Sequence, residues 1–150
     1  MKMVDKQLKE SISALFSSQK LAVLATNMKG VPYTSLVAFV ASTDLKEIFF
    51  ATLKGTTKYY NLLDNPNVSI LIDTRKNKPS DFQDAVAISA EGITEVINNY
   101  KQKYIALYLE KHPSLSEFIT SPNCAIIRVN ITKYQYVSKF QNINILMLIP

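Results

Sequence analysis

Leu21-Ala22-Val23-Leu24-Ala25-Thr26, Asn27-Met28-Lys29-Gly30 and Val31-Pro32-Tyr33-Thr34-Ser35-Leu36-Val37-Ala38-Phe39-Val40 form the stretch on which the fold turns. The outer two runs are apolar and rich in β-formers, and the four residues between them carry turn chemistry, so the segment reads as a β-hairpin. Upstream, Val4, Leu8, Ile12, Leu15 and Phe16 fall three and four apart. That spacing predicts an amphipathic helix over residues 4–18, with Lys2, Lys6, Lys9 and Glu10 outside. Downstream, polar Ser42-Thr43-Asp44 and Lys46-Glu47 lead into a third short strand, Ile48-Phe49-Phe50-Ala51-Thr52.

Beyond it, Thr57 to Asp64 has helical spacing, with Thr56 as N-cap and Asn65-Pro66 closing the helix. Val68 to Asp73 reads as a fourth strand. A loop of about ten residues around Lys76-Asn77-Lys78-Pro79-Ser80-Asp81 then leads to a long strand, Ala85 to Ile97, in which Gly92 marks a bulge or bend. Helical spacing returns over residues 98–111 through Tyr100, Tyr104, Leu107 and Tyr108, and Leu115 to Ile119 add a short turn. A last strand pair is expected at Ala125 to Val129 and Tyr134 to Phe140. After it comes an apolar tail, Ile143 to Ile149, that needs a surface to pack on, a subunit partner being one candidate. Six or more strands joined mostly by short turns predict a mainly β (α+β) fold: one domain over residues 1–150, an antiparallel sheet closed into a barrel, with flanking helices.

Composition sets the class. A chain of 150 residues that is 47% hydrophobic and 19% charged reads as an ordinary globular protein. No apolar run reaches the about 18 to 20 residues that span a bilayer. The amino terminus continues into a polar amphipathic stretch rather than an apolar core, so a cytoplasmic location is expected and no membrane partner. Cys124 is the only cysteine and His112 the only histidine. The pair excludes zinc fingers and internal disulfides, and makes a Cys-His or Ser-His nucleophilic site hard to build; no metal site is expected. Cys124 opens an apolar strand and reads as a small buried hydrophobe, and His112 beside Pro113 reads as a surface or capping residue.

The net charge is +5, from 17 Lys plus Arg against 12 Asp plus Glu, which favours anionic partners in general. Its cations are spread along the chain and no helix-turn-helix or RNA-binding signature occurs, so no nucleic-acid partner is expected. The densest basic run, Arg75-Lys76-Asn77-Lys78, is followed at once by Asp81 and Asp84 and reads as a solvated loop. With only Gly30, Gly55 and Gly92 in the chain, the glycine-rich nucleotide loops of parallel α/β proteins are also excluded.

Chemistry concentrates at Ala51-Thr52-Leu53-Lys54-Gly55-Thr56-Thr57-Lys58. A strand ends there, a glycine turns the backbone, and a helix begins with two hydroxyls and an ammonium group. Unpaired amides and the positive dipole end of a helix N-terminus suit a phosphate. A plain N-cap and a solvated lysine explain the same residues, and both readings stand on the residues alone.

The order and spacing of these fragments, from Leu21–Thr26 through Gly30–Val37, Ile48–Thr52, Thr57–Leu62 and Asn65–Asp73 to Ala87–Gly92 and Tyr104–Pro113, resemble the pyridoxamine 5′-phosphate oxidase-like proteins over nearly the whole chain. The resemblance implies a six-stranded antiparallel split β-barrel, a homodimer, and two molecules of flavin mononucleotide (FMN) held at the subunit interface. It assigns Ser35, Leu36, Val37 and Ala38 to the flavin ring, Ala51 and Thr52 to the flavin, and Thr57 and Lys58 to its phosphate, with Arg75 as a further phosphate or flavin contact. The oxidase itself has an arginine in place of Ser35 and a second basic residue in place of Thr57, and carboxy-terminal arginine and histidine substrate residues that this chain lacks. What the resemblance implies is therefore an FMN-dependent oxidoreductase acting on an unassigned small molecule, with no catalytic residue named. The alternatives are a non-catalytic flavin- or haem-binding carrier or stress-related protein on the same barrel, and a cofactor-free interaction module.

Overall fold

The computed structural model describes residues 2–148, so Met1 and, in the apolar tail, Ile149 lie outside them. A first helix, α1 (Asp5–Ser18), precedes β1 (Leu21–Met28), β2 (Val31–Ala41) and β3 (Glu47–Leu53). Then come α2 (Thr57–Asp64), β4 (Asn67–Asp73), a short α3 (Asp81–Asp84), β5 (Val86–Val96) and α4 (Lys101–Lys111). A 3₁₀ turn at Pro113–Leu115 runs into α5 (Ser116–Thr120), and β6 (Cys124–Ser138) and β7 (Asn142–Met147) follow.

Every strand pairing is antiparallel. Neighbours run β3-β2-β1-β4-β5-β6-β7, and β3 also pairs with β6, so six strands close a ring and β7 extends it as an edge. The expected six-stranded antiparallel split β-barrel with flanking helices is what this register builds. The opening hairpin is tighter than its sequence suggested. β1 and β2 pair through Met28 and Val31, and only Lys29 and Gly30 remain as the turn, both at positive φ (50° and 84°). Such a two-residue turn matches the twist of the flanking strands.

The expectations for the last strand pair and for His112 need correction. The strand pair expected at Ala125–Val129 and Tyr134–Phe140 is a single 15-residue strand, β6. Its polar centre looked like a turn but is a bulge: Gly92 pairs with Ile131 and Glu91 with Lys133, leaving Thr132 extra, with its hydroxyl donating to the Glu91 carbonyl at 3.2 Å. The bend lets one half of β6 pair with β3 and the other with β7. Gly92 is required there, because a Cβ would meet the Asn130 carbonyl oxygen at 2.5 Å and Val129 Cγ1 at 2.7 Å. His112, second, is not at the surface: its ring is buried and Nε2 lies 2.9 Å from the Phe39 carbonyl oxygen.

The barrel interior forms one apolar core with Leu8, Ile12, Leu15 and Phe16 of α1. Phe16 packs edge-on against Phe39, with centroids 5.7 Å apart. Val4, expected on that helix face, is its exposed N-cap instead. A second cluster lies outside the ring, where α4 and α5 cover β3 and β6 through Phe49, Tyr104, Tyr108, Ile119 and Ile126. Among the described residues no helix is long and apolar enough to cross a membrane.

Candidate functional site

The ring is not evenly sewn. β2 and β3 pair only from Phe39↔Phe50 to Ala41↔Ile48. Beyond Phe39, Leu36–Ala38 stay paired to β1 while Ala51–Leu53 stay paired to β6. The strands part there and leave a cleft of about 310 Å³, at the lower end of the range for small-molecule sites. Leu36, Val37 and Ala38 form one wall, Ala51 and Thr52 the other, and Thr56 and Lys58 stand at the mouth of α2. Tyr108, Leu115 and Phe118 close a third side from α4, the 3₁₀ turn and α5.

The start of α2 follows from its sequence. Thr56 is the N-cap, accepting from the Tyr59 amide at 3.4 Å. Its own hydroxyl donates to the Leu53 carbonyl at 2.8 Å and lies 3.0 Å from that of Thr52. With those partners Thr56 is committed to holding the turn. The Thr57 and Lys58 amides make no backbone hydrogen bond among the described residues, and these first-turn donors carry the positive end of the helix dipole at the end of α2 where Thr56 and Lys58 border the cleft. Asn61 anchors α2 from behind, donating to the buried Thr26 hydroxyl at 3.0 Å.

Six of the nine residues expected in the site thus meet at one cleft: Leu36, Val37, Ala38, Ala51, Thr52 and Lys58. The Thr57 side chain is exposed beside it. Ser35 precedes Leu36 on β2, and its hydroxyl is buried without a hydrogen-bond partner. Arg75 is elsewhere. It is exposed, pairs with Asp73 at 3.2 Å, and lines a separate hollow with the exposed Phe82 and Phe140. The neighbouring basic loop carries its own anion, since Asp81 accepts from the amides of Lys76, Asn77 and Lys78, which hold its carboxyl below the usual range.

The wall made by Tyr108, Leu115 and Phe118 had no sequence signal beyond helical spacing. The Tyr108 hydroxyl is buried without a partner, and burial pushes its pKa up to about 12. Burial likewise raises the Cys124 thiol and lowers the His112 imidazole.

A cross-strand row also starts at the cleft. Leu36 pairs with Val23, Val23 with Leu71, Leu71 with Ser89, Ser89 with Gln135, and Gln135 with Ile145. These side chains share the outer face of the sheet, where Leu36 is 65% and Ile145 53% exposed.

A family model described as pyridoxamine 5′-phosphate oxidase matches residues 8–138. No curated protein matches the chain. Among solved structures, General Stress Protein 26 from Bacillus anthracis is 24% identical over 95% of this chain and 99% of its own, with a TM-score of 0.72. A heme binding protein from Mycobacterium smegmatis is 15% identical at a TM-score of 0.82, covering 97% of this chain, which spans 60% of that protein's length. HutZ, a heme storage protein from Vibrio cholerae, is 18% identical at a TM-score of 0.66, over 83% of this chain and 89% of its own. At these identities the likeness is one of fold.

Proposed function

This chain belongs to the pyridoxamine 5′-phosphate oxidase family, and we propose that it binds FMN in the β2–β3 cleft and serves as a flavin-dependent oxidoreductase for a small molecule. One observation carries the reading: the parting of β2 from β3 gathers an apolar strand edge, a threonine-lined strand end and the free amides of a helix bearing Lys58 around one opening. That donor set fits the group. Thr57 and Lys58 would hold the phosphate through amides and ammonium, because a helix N-terminus favours an anion and a lysine adds full charge. Leu36, Val37 and Ala38 would support the ring on one side and Ala51 and Thr52 on the other, with the unpartnered Ser35 hydroxyl beside them.

When bound, the flavin supplies hydride transfer; the protein's part is to fix its orientation and exclude water. No acid or base of this chain is assigned to that role. The only histidine, buried with Nε2 on the Phe39 carbonyl, is not placed to ligate a haem iron in the cleft.

A homodimer fits the same reading. The outer-face row from Leu36 to Ile145 begins at the cleft and carries exposed apolar side chains at Leu36, Leu71 and Ile145 around Ser89 and Gln135, so a second copy seated on it would cover the opening. The test is an absorption spectrum of the purified protein, followed by mass identification of the ligand released on denaturation and turnover assays with reduced nicotinamides and oxygen. A yellow protein releasing FMN is expected. A colourless protein that stays apo in excess FMN would refute the reading, and stoichiometric FMN without turnover would make it a carrier.

A further inference from the structure

We propose that Tyr108 is a ligand-contacting residue whose phenol donates a hydrogen bond to an acceptor atom of the molecule held in the β2–β3 cleft; the inference rests on the FMN reading above. Tyr108 is 1% exposed, it lines the cleft from α4, and its hydroxyl has no partner among the described residues. A buried hydroxyl left without a partner destabilises the fold, and such groups are rare. Nothing in the packing demands it. The ring belongs to the buried cluster with Ile119, Cys124 and Ile126 and lies 5.0 Å from the His112 ring, contacts that a phenylalanine ring would also make. The oxygen is accounted for by a partner the protein itself does not supply, and the cleft is where such a partner would sit.

Chemistry narrows the partner. A tyrosine phenol is already neutral in the physiological pH range, and burial pushes its ionisation still higher, so it is a donor there. It therefore complements an oxygen or ring nitrogen that accepts, and adds no charge beside Lys58. FMN offers acceptors of both kinds.

The measurement is paired: apo-state thermal melting and FMN titration, followed by flavin fluorescence, on wild type, Tyr108→Phe and Lys58→Ala. Removing the hydroxyl relieves an unsatisfied polar group, so apo Tyr108→Phe melts above wild type. The same change deletes one hydrogen bond from the complex, so FMN binds about 3- to 10-fold more weakly and the bound-flavin absorption bands shift. This opposition between a more stable apo protein and a weaker complex is what a purely structural tyrosine would not give. Wild type that binds FMN, with Tyr108→Phe binding equally well and with the same spectrum, overturns the assignment of Tyr108 alone. A lower melting temperature in apo Tyr108→Phe also overturns it, because the hydroxyl would then have a partner inside the fold. Wild type that binds no FMN overturns the parent reading and this one with it.

Discussion

Asn61 Nδ2 donates to the Thr26 hydroxyl at 3.0 Å, joining α2 to β1 through two buried polar side chains. The bond fixes where α2 begins relative to the barrel, and hence where Lys58 and its amide stand. Asn61→Ala removes it and leaves a small void, so unfolding in urea should show about 1 to 3 kcal/mol less stability. FMN affinity should fall as well. An unchanged denaturation midpoint would mean that α2 is held by its apolar face alone.

Lys58→Ala deletes the ammonium group that, among the described residues, lines the cleft. A charge-assisted contact to a phosphate is lost, so FMN binding should weaken by about 1.5 to 3 kcal/mol with the fold intact. Circular dichroism and fluorescence titration together check both halves of the statement. Equal affinity would remove Lys58 from the site.

Gly92→Ala should be costly for a reason that has nothing to do with turns. The added methyl would press on the Asn130 backbone within a closed ring, where neither strand can step aside. Overpacking of this kind costs about 1 to 3 kcal/mol. A midpoint matching wild type would show that the bulge at Thr132 can open to admit it.

Lys111 gives a pH prediction. Its ammonium donates to the Phe16 carbonyl at 3.0 Å near the end of α1 and sits 3.8 Å from the Phe39 ring centroid. Burial, and next the charge of Lys20, lower its pKa from 10.5 to about 8. The folded chain therefore gives up this proton before the unfolded chain does. Between about pH 8 and pH 10 the unfolded chain holds more protons at this site, so Lys111 makes stability rise with pH, while the buried Cys124 thiol, raised from its ordinary value, opposes the rise in the upper part of that window. Above about pH 10 the sign reverses, because burial raises the hydroxyls of Tyr108 and Tyr134, which stay protonated in the fold after unfolded tyrosines ionise. Denaturation series at several pH values should show the rise in wild type and its loss in Lys111→Met. Equal slopes would mean that this lysine is not desolvated.

Leu71→Arg places a charge at the middle of the outer-face row while leaving the cleft residues alone. Sedimentation velocity should find wild type as a dimer at micromolar concentration and the variant as a monomer. A monomeric wild type, or a variant that remains dimeric, would remove this face as the interface.

What could be read in the sequence was what neighbouring residues decide. The Thr56 cap and the irregularity at Gly92 each rest on local backbone chemistry and are where they were expected, and the hairpin turn falls within the expected Asn27–Gly30, tightened to Lys29-Gly30. β6 was misread because Asn130 and Thr132 interrupt its apolar pattern as a turn would, whereas the structure uses them on the outer side of a bent strand. His112 was misread because a ring beside a helix-ending proline gives no sign that the backbone of Phe39 lies within reach. The strand and helix residues of the cleft were visible in outline. Its Tyr108 wall was not, since it exists only once α4 folds back over β3.

The double duty of β6 bears on how the molecule is made. β3 finds its partner for Glu47–Leu53 only in Cys124–Asn130, so the ring stays open until that late segment has emerged and docked. Pairings so distant along the chain are slow to form. During synthesis the apolar, aromatic β3 passes through an interval as an exposed edge, the condition under which strands pair with the wrong neighbour. Yield in cells should therefore depend on how quickly the carboxy-terminal third arrives, and slow translation between β3 and β6 lengthens the vulnerable interval.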